Sequence, residues 1–409
     1  MSVTPALDSN RKQIFGLNPN VFFLGLVSLL TDVSSEMIFT LLPLFLANVV
    51  GATTAVIGLV GGLSDGADAI FRIFSGWLSD RLGKRKALTL LGYGLSTLVK
   101  PLMLLALTWS SVLAVRFGDR VGKGIRSSPR DALVAASLSP RDRGRGFGLH
   151  RAMDTLGAVL GLGVAAAIIY HIQGGNLDLS LPTYRWLVIA GSIPAVLAVL
   201  VLLILVREKK SSPGGPARRQ GPVLRVAPAP FSLRFKLFLG IMAVFTLGNS
   251  GSFFVILRAQ DLGSSVFTVT LMLVLFNVVY ALTSFPAGII SDRWGRRRMI
   301  VLGWAVYFLV YLGLAGASRL GQMWLIFAGY GVFFGLTEGV ARAYVADLVA
   351  EDRRGTAYGL YYGVVGLLLV AAGVLAGGLW QAVSPAAAFY LSAGLALLAS
   401  LGLIAFVKE

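Results

Sequence analysis

Residues 75–86 read "SGWLSDRLGKRK", and residues 287–298 read "AGIISDRWGRRR". Each stretch runs from small and apolar residues through Ser-Asp-Arg and a glycine into a cluster of bases. The offset between them is 212 residues, and a second pair, "DRGRGFGLH" (142–150) and "RRGTAYGLY" (353–361), returns at an offset of 211. Two unrelated segments that recur at one offset mark a duplicated chain. Each copy of the first segment follows one apolar run and precedes another, so it is a charged turn between two apolar elements.

The apolar runs set the fold class. The chain has 409 residues, of which 56% are hydrophobic and 13% charged, with a mean hydropathy of +0.78. A soluble domain carries roughly 25% charged residues. Runs of about twenty apolar residues recur along the whole length, and such runs are membrane-spanning helices. The reading is an all-α polytopic membrane protein with spans at 19–48, 53–80, 86–107, 110–135, 145–170 and 184–206, then 235–258, 264–291, 298–317, 321–348, 356–380 and 385–407. Residues 1–18 form an N-terminal tail. The Pro-, Gly-, Ser- and Arg-rich stretch 207–234 is a linker between six-helix units at 19–206 and 235–407.

The formal net charge of +17 describes topology. Basic clusters occupy alternate gaps: Arg11 and Lys12, Arg81 to Lys86, Arg141 to Arg145, Arg207 to Arg234, Arg293 to Arg298, Arg353 and Arg354, and Lys408. The intervening gaps carry almost no charge. By the positive-inside rule both termini lie in the cytoplasm, and the chain is a multi-pass protein of the cytoplasmic (inner) membrane. Lipid and a small-molecule substrate are its expected partners; nucleic acid is not, and a monomer is expected. There is no cysteine, and the chain shows no P-loop, HExxH motif or soluble catalytic domain, so an enzyme is excluded.

The doubled motif Gly-x-x-x-Asp-Arg-x-Gly-Arg/Lys-Arg/Lys resembles the signature of the major facilitator superfamily. It comprises Gly76, Asp80, Arg81, Gly83, Lys84 and Arg85, then Gly288, Asp292, Arg293, Gly295, Arg296 and Arg297. The resemblance implies twelve helices in two pseudo-symmetric six-helix bundles and a substrate path between them. It also implies that Asp80 and Asp292 act as conformational latches that favour an outward-facing state. A carboxylate among arginines at a helix end suits a breakable ion-pair network.

Charge inside the spans is concentrated in the first half. Its acids are Asp32, Glu36, Asp65, Asp68, Asp119, Asp131 and Asp154; its bases are Arg72, Arg116, Arg120, Lys123, Arg126, Arg130 and Arg151. Seven against seven reads as an internally neutral network. A mid-membrane charge costs ~2.5–3.5 kcal/mol on insertion scales, so these groups face the bundle interior, pair and work. Asp32 and Glu36, four apart on one helix face, are the leading proton-coupling candidates, with Asp65, Asp68, Arg116 and Arg120 in support. Their placement resembles proton-coupled exporters of the superfamily, with an essential acid in span 1 and an essential Arg in span 4. The glycines Gly157, Gly161 and Gly163 of span 5 resemble part of its antiporter motif. Asp68 with Arg72, and Glu338 with Arg342, are expected to pair at i, i+4.

Two alternatives stand beside proton-coupled efflux of an amphiphilic organic compound. Arg120, Lys123, Arg126 and Arg130 follow helical spacing and would read a carboxylate or a phosphorylated metabolite as one basic stripe, with Pro129 breaking or kinking the helix there. Alternatively Asp32, Glu36, Asp65 and Asp68 would bind Na⁺ or a divalent cation. In the second half Asn249, Phe253, Asn277, Tyr280, Glu338 and Arg342 are substrate-binding candidates. No cofactor is implied other than H⁺ as coupling ion, and no resident metal.

Overall fold

The computed structural model describes residues 18–138, 142–208, 231–350 and 353–407, and within them not the side chains of Asp80, Arg143 and Gly144. Residues 1–17 of the tail, Arg141, residues 209–230 of the linker and Lys408 lie outside the described residues, as does the side chain of the expected latch Asp80.

Regular structure among the described residues is entirely helical. The first half contains α1 (Pro19–Phe39), α2 (Leu42–Asn48), α3 (Thr54–Leu82), α4 (Arg85–Val99), a 3-10 helix (Lys100–Leu104), α5 (Trp109–Ala136), α6 (Arg143–Gln173) and α7 (Leu181–Leu205). The second contains α8 (Leu233–Leu247), α9 (Ser252–Asp261), α10 (Val266–Trp294), α11 (Arg296–Gly316), α12 (Leu320–Asp347), α13 (Arg354–Ala382) and α14 (Pro385–Phe406). Taking α1 with α2, α4 with the 3-10 helix and α8 with α9 gives twelve spans. Eleven are long and apolar enough to cross a membrane. The twelfth, α5, is 28 residues long but carries seven charged side chains. Large apolar side chains such as Leu98, Leu282, Phe285 and Leu325 are exposed on the outer surface, where lipid is the solvent.

The first span of each half is broken at the same place, which the apolar runs do not reveal. Between α1 and α2 the break falls at Thr40 and Leu41, just before Pro43. Between α8 and α9 it falls at Gly248 to Gly251, where Gly251 has φ 83°, a value open to glycine. Pro129, by contrast, does not end its helix: α5 runs through it to Ala136. Surrounding helices at this depth allow a proline to remain inside a span.

Helices α1, α6 and α7 pack together, as do α3, α4 and α5; in the second half α10, α11, α12 and α14 do the same. The two halves meet where α3 lies along α13 and α6 along α10. Glycine makes the closest of these approaches. A Cβ placed on Gly58 would lie 2.0 Å from the Gly373 carbonyl oxygen, one on Gly62 2.6 Å from that of Leu369, and one on Gly377 2.3 Å from that of Thr54. Only bare backbone fits between α3 and α13 there.

Gly83 (φ 64°) and Gly295 (φ 100°) end α3 and α10 and turn the chain into the next helix, which is what the motif glycines are for. We call the surface carrying these turns the motif face.

Candidate transport pathway and its charged residues

Away from the motif face the halves are sealed. Gln260 Nε2 of α9 donates to Asn48 Oδ1 (2.9 Å) and to the Leu177 carbonyl (2.8 Å), while the Leu179 amide donates to Asn48 Oδ1 (3.0 Å). The rings of Tyr170 and Phe267 close the same end at 5.5 Å. Beneath this seal a cavity of about 30 Å³ is lined by Asp65, Asn249 and Phe253. That is room for about one water. The substrate-binding candidates Asn249 and Phe253 are therefore packed into the closure in this state. Phe253 lies against Gly61, and Asn249 Oδ1 accepts from the Gly251 amide at 3.2 Å.

Toward the motif face the halves part. A cavity of about 560 Å³ lies between the ends of α5 and α6 on one side and α10 and α12 on the other; Arg130, His150, Asp154, Ser284, Asp292 and Arg342 are among its walls. The molecule is thus sealed opposite the motif loops and open toward them.

The ionic groups of the first half are mostly paired. Arg120 meets Asp65 at 3.1 Å, Arg72 meets Asp68 at 3.0 Å, Arg130 meets Asp131 at 2.9 Å, and Arg116 Nη1 lies 3.5 Å from Asp119 Oδ2. His150 Nδ1 is 3.5 Å from Asp154, and the Thr40 hydroxyl donates to Glu36. Asp32, half-buried, has neither an ion pair nor a hydrogen bond among the described residues, and in this it differs from every other described acid of these membrane helices. Counting 1.5 Å per residue from Pro19, Asp32 sits about 20 Å into its span. Lys123 is at the same depth, about 20 Å from the end of α5. Its ammonium too lacks a hydrogen-bond or ion-pair partner among the described residues, and Asp32 and Lys123 are within electrostatic reach of one another.

Two expectations need correction. The basic stripe of span 4 does not form as a single surface. Arg120 and Arg130 are taken by acids, and Arg126 is buried against α4, donating to Ser96 Oγ at 2.7 Å with its guanidinium over the Tyr93 ring at 4.5 Å. At 3.6 residues per turn Arg126 is turned about 120° from Arg120, so the spacing wraps round the helix. Only Lys123 of the four is left for a ligand. Nor do Asp32, Glu36, Asp65 and Asp68 assemble a cation site: among the described residues no three acidic or histidine side chains gather in metal-binding geometry. Asp65 and Asp68 turn instead to the arginines beside them.

Lys100 was missing from the charge count. It lies at the end of α4, is 0% exposed, and brings the bases of this half to eight against seven acids. Lys100 falls within the expected span 86–107, just before Pro101, and nothing in its neighbours along the chain betrays its burial.

In the second half, Glu338 and Arg342 pair as their spacing requires, at 3.2 Å. Asn277 bonds back to the Leu273 carbonyl at 3.0 Å and is spent on its own helix. Tyr280 donates to Glu338, and Arg151 of α6 reaches across to both: it donates to the Tyr280 hydroxyl, lies over that ring at 5.1 Å, and stands 3.6 Å from Glu338. Arg151–Glu338 is the ion pair that joins the two halves among the described residues. It lies about 12 Å in from the start of α6, between the motif face and the depth of Asp32.

This clasp is a thin closure of an otherwise open mouth. Both partners are about half exposed, and such a pair contributes ~0.2–1 kcal/mol. Arg151→Glu should therefore raise the rate at which a cysteine placed at Asn277, about 25 Å in from the motif-face end of α10 and so deeper than the clasp, is labelled from the motif face by up to about fivefold, and Arg151→Glu with Glu338→Arg should restore the slow rate. The chain has no cysteine to confuse the reading. Equal rates in all three proteins would show that the clasp closes nothing.

The second copy of the motif is knitted into its neighbours. Arg296 joins Asp292 (3.4 Å) to Asp347 at the end of α12 (2.9 Å), and Arg297 caps α14 by donating to the carbonyls of Leu403 and Ile404. In the first copy Glu208 caps α4 through the Arg85 and Lys86 amides at 2.8 and 3.2 Å, and Arg81 rests on the Trp77 ring at 5.4 Å. Gly76 passes close to Ser128, whereas Gly288 borders the large cavity with open space beside it. Arg293 is exposed.

Gly157 and Gly161 of α6 press on the backbone of α1: Cβ atoms there would lie 2.4 Å from the Leu29 carbonyl oxygen and 2.6 Å from that of Val33. Gly163 faces open space. The glycine face of α6 thus holds the segment of α1 that carries Asp32.

Comparison with known proteins gives a consistent picture. A family model described as Major Facilitator Superfamily matches residues 24–247 and again 236–409. An uncharacterised MFS-type transporter of Methanocaldococcus jannaschii is 37% identical over 406 residues, covering 97% of each chain. The crystal structure of a mutant form of the nucleoside transporter NupG superposes with a TM-score of 0.78 at 14% identity, over 95% of this chain and 100% of that one. A more distant, partial match is the multidrug resistance protein MdtH of Cronobacter sakazakii, 27% identical over 154 residues, or 37% of each chain.

Proposed function

The chain belongs to the major facilitator superfamily and is a multi-pass transporter of a small solute, not an enzyme; from that premise we propose that it exports an amphiphilic organic compound in exchange for protons. The observation that carries the reading is Asp32. A carboxylate without a fixed partner at mid-membrane is costly, and either a proton or a cationic or polar ligand relieves that cost; competition between the two is the essence of antiport. Arg120 and Asp65 flank the path as an ion pair. The aromatic wall of Phe276, Tyr280 and Phe334 offers apolar faces to the body of the solute.

Direction rests on two supports. The glycine face of α6 braces the Asp32 segment of α1, and the partial match to MdtH is to a protein named for multidrug resistance. In this reading the motif face and both termini are cytoplasmic, the protein sits in the cytoplasmic membrane as a monomer, and the open cavity is where the solute enters and the proton leaves. H⁺ is the coupling ion, with no other cofactor.

Proteoliposomes with an imposed pH gradient test this. With panels of cationic and neutral amphiphiles, solute should move against the proton flux, and a protonophore should stop it. Flux indifferent to the gradient overturns proton coupling. Flux in the same direction as the protons favours a second reading, an organic-anion symporter, for which the unpartnered Lys123 would hold the anion.

A further inference from the structure

Lys100 is buried completely, and its ammonium donates to Ser34 Oγ at 2.8 Å and Ser35 Oγ at 3.0 Å. These hydroxyls lie on α1, two and three residues beyond Asp32. The ammonium has a third donor, and no carboxylate lies within ion-pair distance of it among the described residues. Across the same compartment Asp119 of α5 is buried to 3% exposure, and its Oδ1 has no hydrogen-bond partner. Ser96, about one turn before Lys100 on α4, donates to the Asp119 carbonyl at 3.1 Å, which brings the Lys100 end of α4 against this part of α5, and Lys100 is within electrostatic reach of both Asp119 and Asp32. A buried cation short of a carboxylate therefore sits beside a buried carboxylate oxygen short of a donor. Each is costly left as it is.

Both deficits are relieved at once if the ammonium turns from α1 to α5. We propose that Lys100 is the positioning residue of the proton site, a cation with two stations: at Ser34 and Ser35 while Asp32 is ionised, and at Asp119 once Asp32 is protonated. This rests on Asp32 as the proton carrier. An ionised Asp32 attracts the ammonium toward α1, which lowers the carboxylate's affinity for a proton. A neutral Asp32 releases it to the free oxygen of Asp119. The arrangement seen, with Lys100 on α1 and the cavity open to the motif face, is that of the proton-free carrier awaiting solute.

The other charges around Asp32 are held by their own partners, except Lys123, which is unpaired at the same depth and acts on Asp32 alongside Lys100. They are Glu36 on α1, Asp154 with His150 on α6, and Lys123, Arg126 and Arg130 on α5. Arg116 and Arg126 are the further charges near Lys100. Arg126 is tied to Ser96; Arg116 stands 3.5 Å from Asp119 Oδ2 with its own buried Nε unpartnered, so it is the donor that competes with Lys100 for Oδ1.

The test needs no ligand other than the proton. Infrared difference spectra of the purified full-length protein are recorded against pH, and the carbonyl band of the protonated carboxyl group that disappears in Asp32→Asn is followed. Its midpoint should rise by about one pH unit in Lys100→Met, a tenfold change in proton affinity. It should fall in Asp119→Asn, where Lys100 stays beside α1, and remain in place in Lys100→Arg. Unshifted midpoints in folded Lys100→Met and Asp119→Asn would make Lys100 a structural strut only. Should Lys100→Met not fold, Ser34→Ala with Ser35→Ala decides: it removes the α1 station without altering a charge, so the midpoint should rise as the ammonium settles on Asp119, and an unshifted midpoint would refute the two stations. A pH-dependent band unaffected by Asp32→Asn would remove the proton site itself, a different failure from that of Lys100.

Discussion

Asp32→Asn is expected to abolish proton-driven transport and to leave the protein folded. The side chain makes no hydrogen bond or ion pair among the described residues, so an isosteric amide breaks none. It also removes a charge whose presence at mid-membrane costs ~2.5–3.5 kcal/mol, so thermal stability should stay level or rise. What is lost is the one group free to exchange a proton for a ligand. Flux driven by a pH gradient should drop to the level of empty vesicles, while downhill exchange of solute for solute continues. Glu36→Gln should be milder, because Glu36 is engaged by Thr40 and is not free to exchange. Undiminished uphill transport by Asp32→Asn would refute the assignment.

The second large effect is conformational. The seal opposite the motif face requires α3 and α13 to touch through bare backbone, and a Cβ on Gly373 would lie 2.2 Å from the Gly58 carbonyl oxygen. A leucine there cannot be housed by moving a flexible side chain, since the obstacle is main chain. Overpacking of this kind costs ~1–3 kcal/mol, and conformers of a carrier differ by only a few kcal/mol. Gly373→Leu should therefore forbid the sealed state and hold the molecule open on the side opposite the motif face. Transport should cease, and a cysteine placed at Asn249, now in the closure, should be labelled from that side at least about tenfold faster, the equivalent of 1.4 kcal/mol. Gly378→Leu is the control, because a Cβ on Gly378 meets open space. If Gly373→Leu transports normally, the α3–α13 contact is not what seals the path.

How far the sequence foretold this molecule depends on whether an interaction stays on one helix. The doubled motif and the apolar runs gave the spans. The i, i+4 pairs Asp68–Arg72 and Glu338–Arg342 follow from helical geometry alone, and both are formed. Arg126 shows the limit: spacing of three and four keeps neighbours together but precesses over six residues, so a stripe on paper splits between two faces. Arg151 with Glu338, and Lys100 with Ser34, join residues far apart in the chain, and no local pattern announces them. The breaks in the first span of each half left only small marks, Pro43 and Gly251.

The seven charges of α5 also bear on how this protein is made. At ~2.5–3.5 kcal/mol for each charge near the centre of the bilayer, this helix has no tendency to leave the translocon by itself. It becomes tolerable only when Asp65 of α3 and Ser96 of α4 are there to receive Arg120 and Arg126. Both of those helices are synthesised before it. The order of the chain thus eases biogenesis: the two helices that receive its charges are already made when α5, which carries seven of them, must enter the membrane.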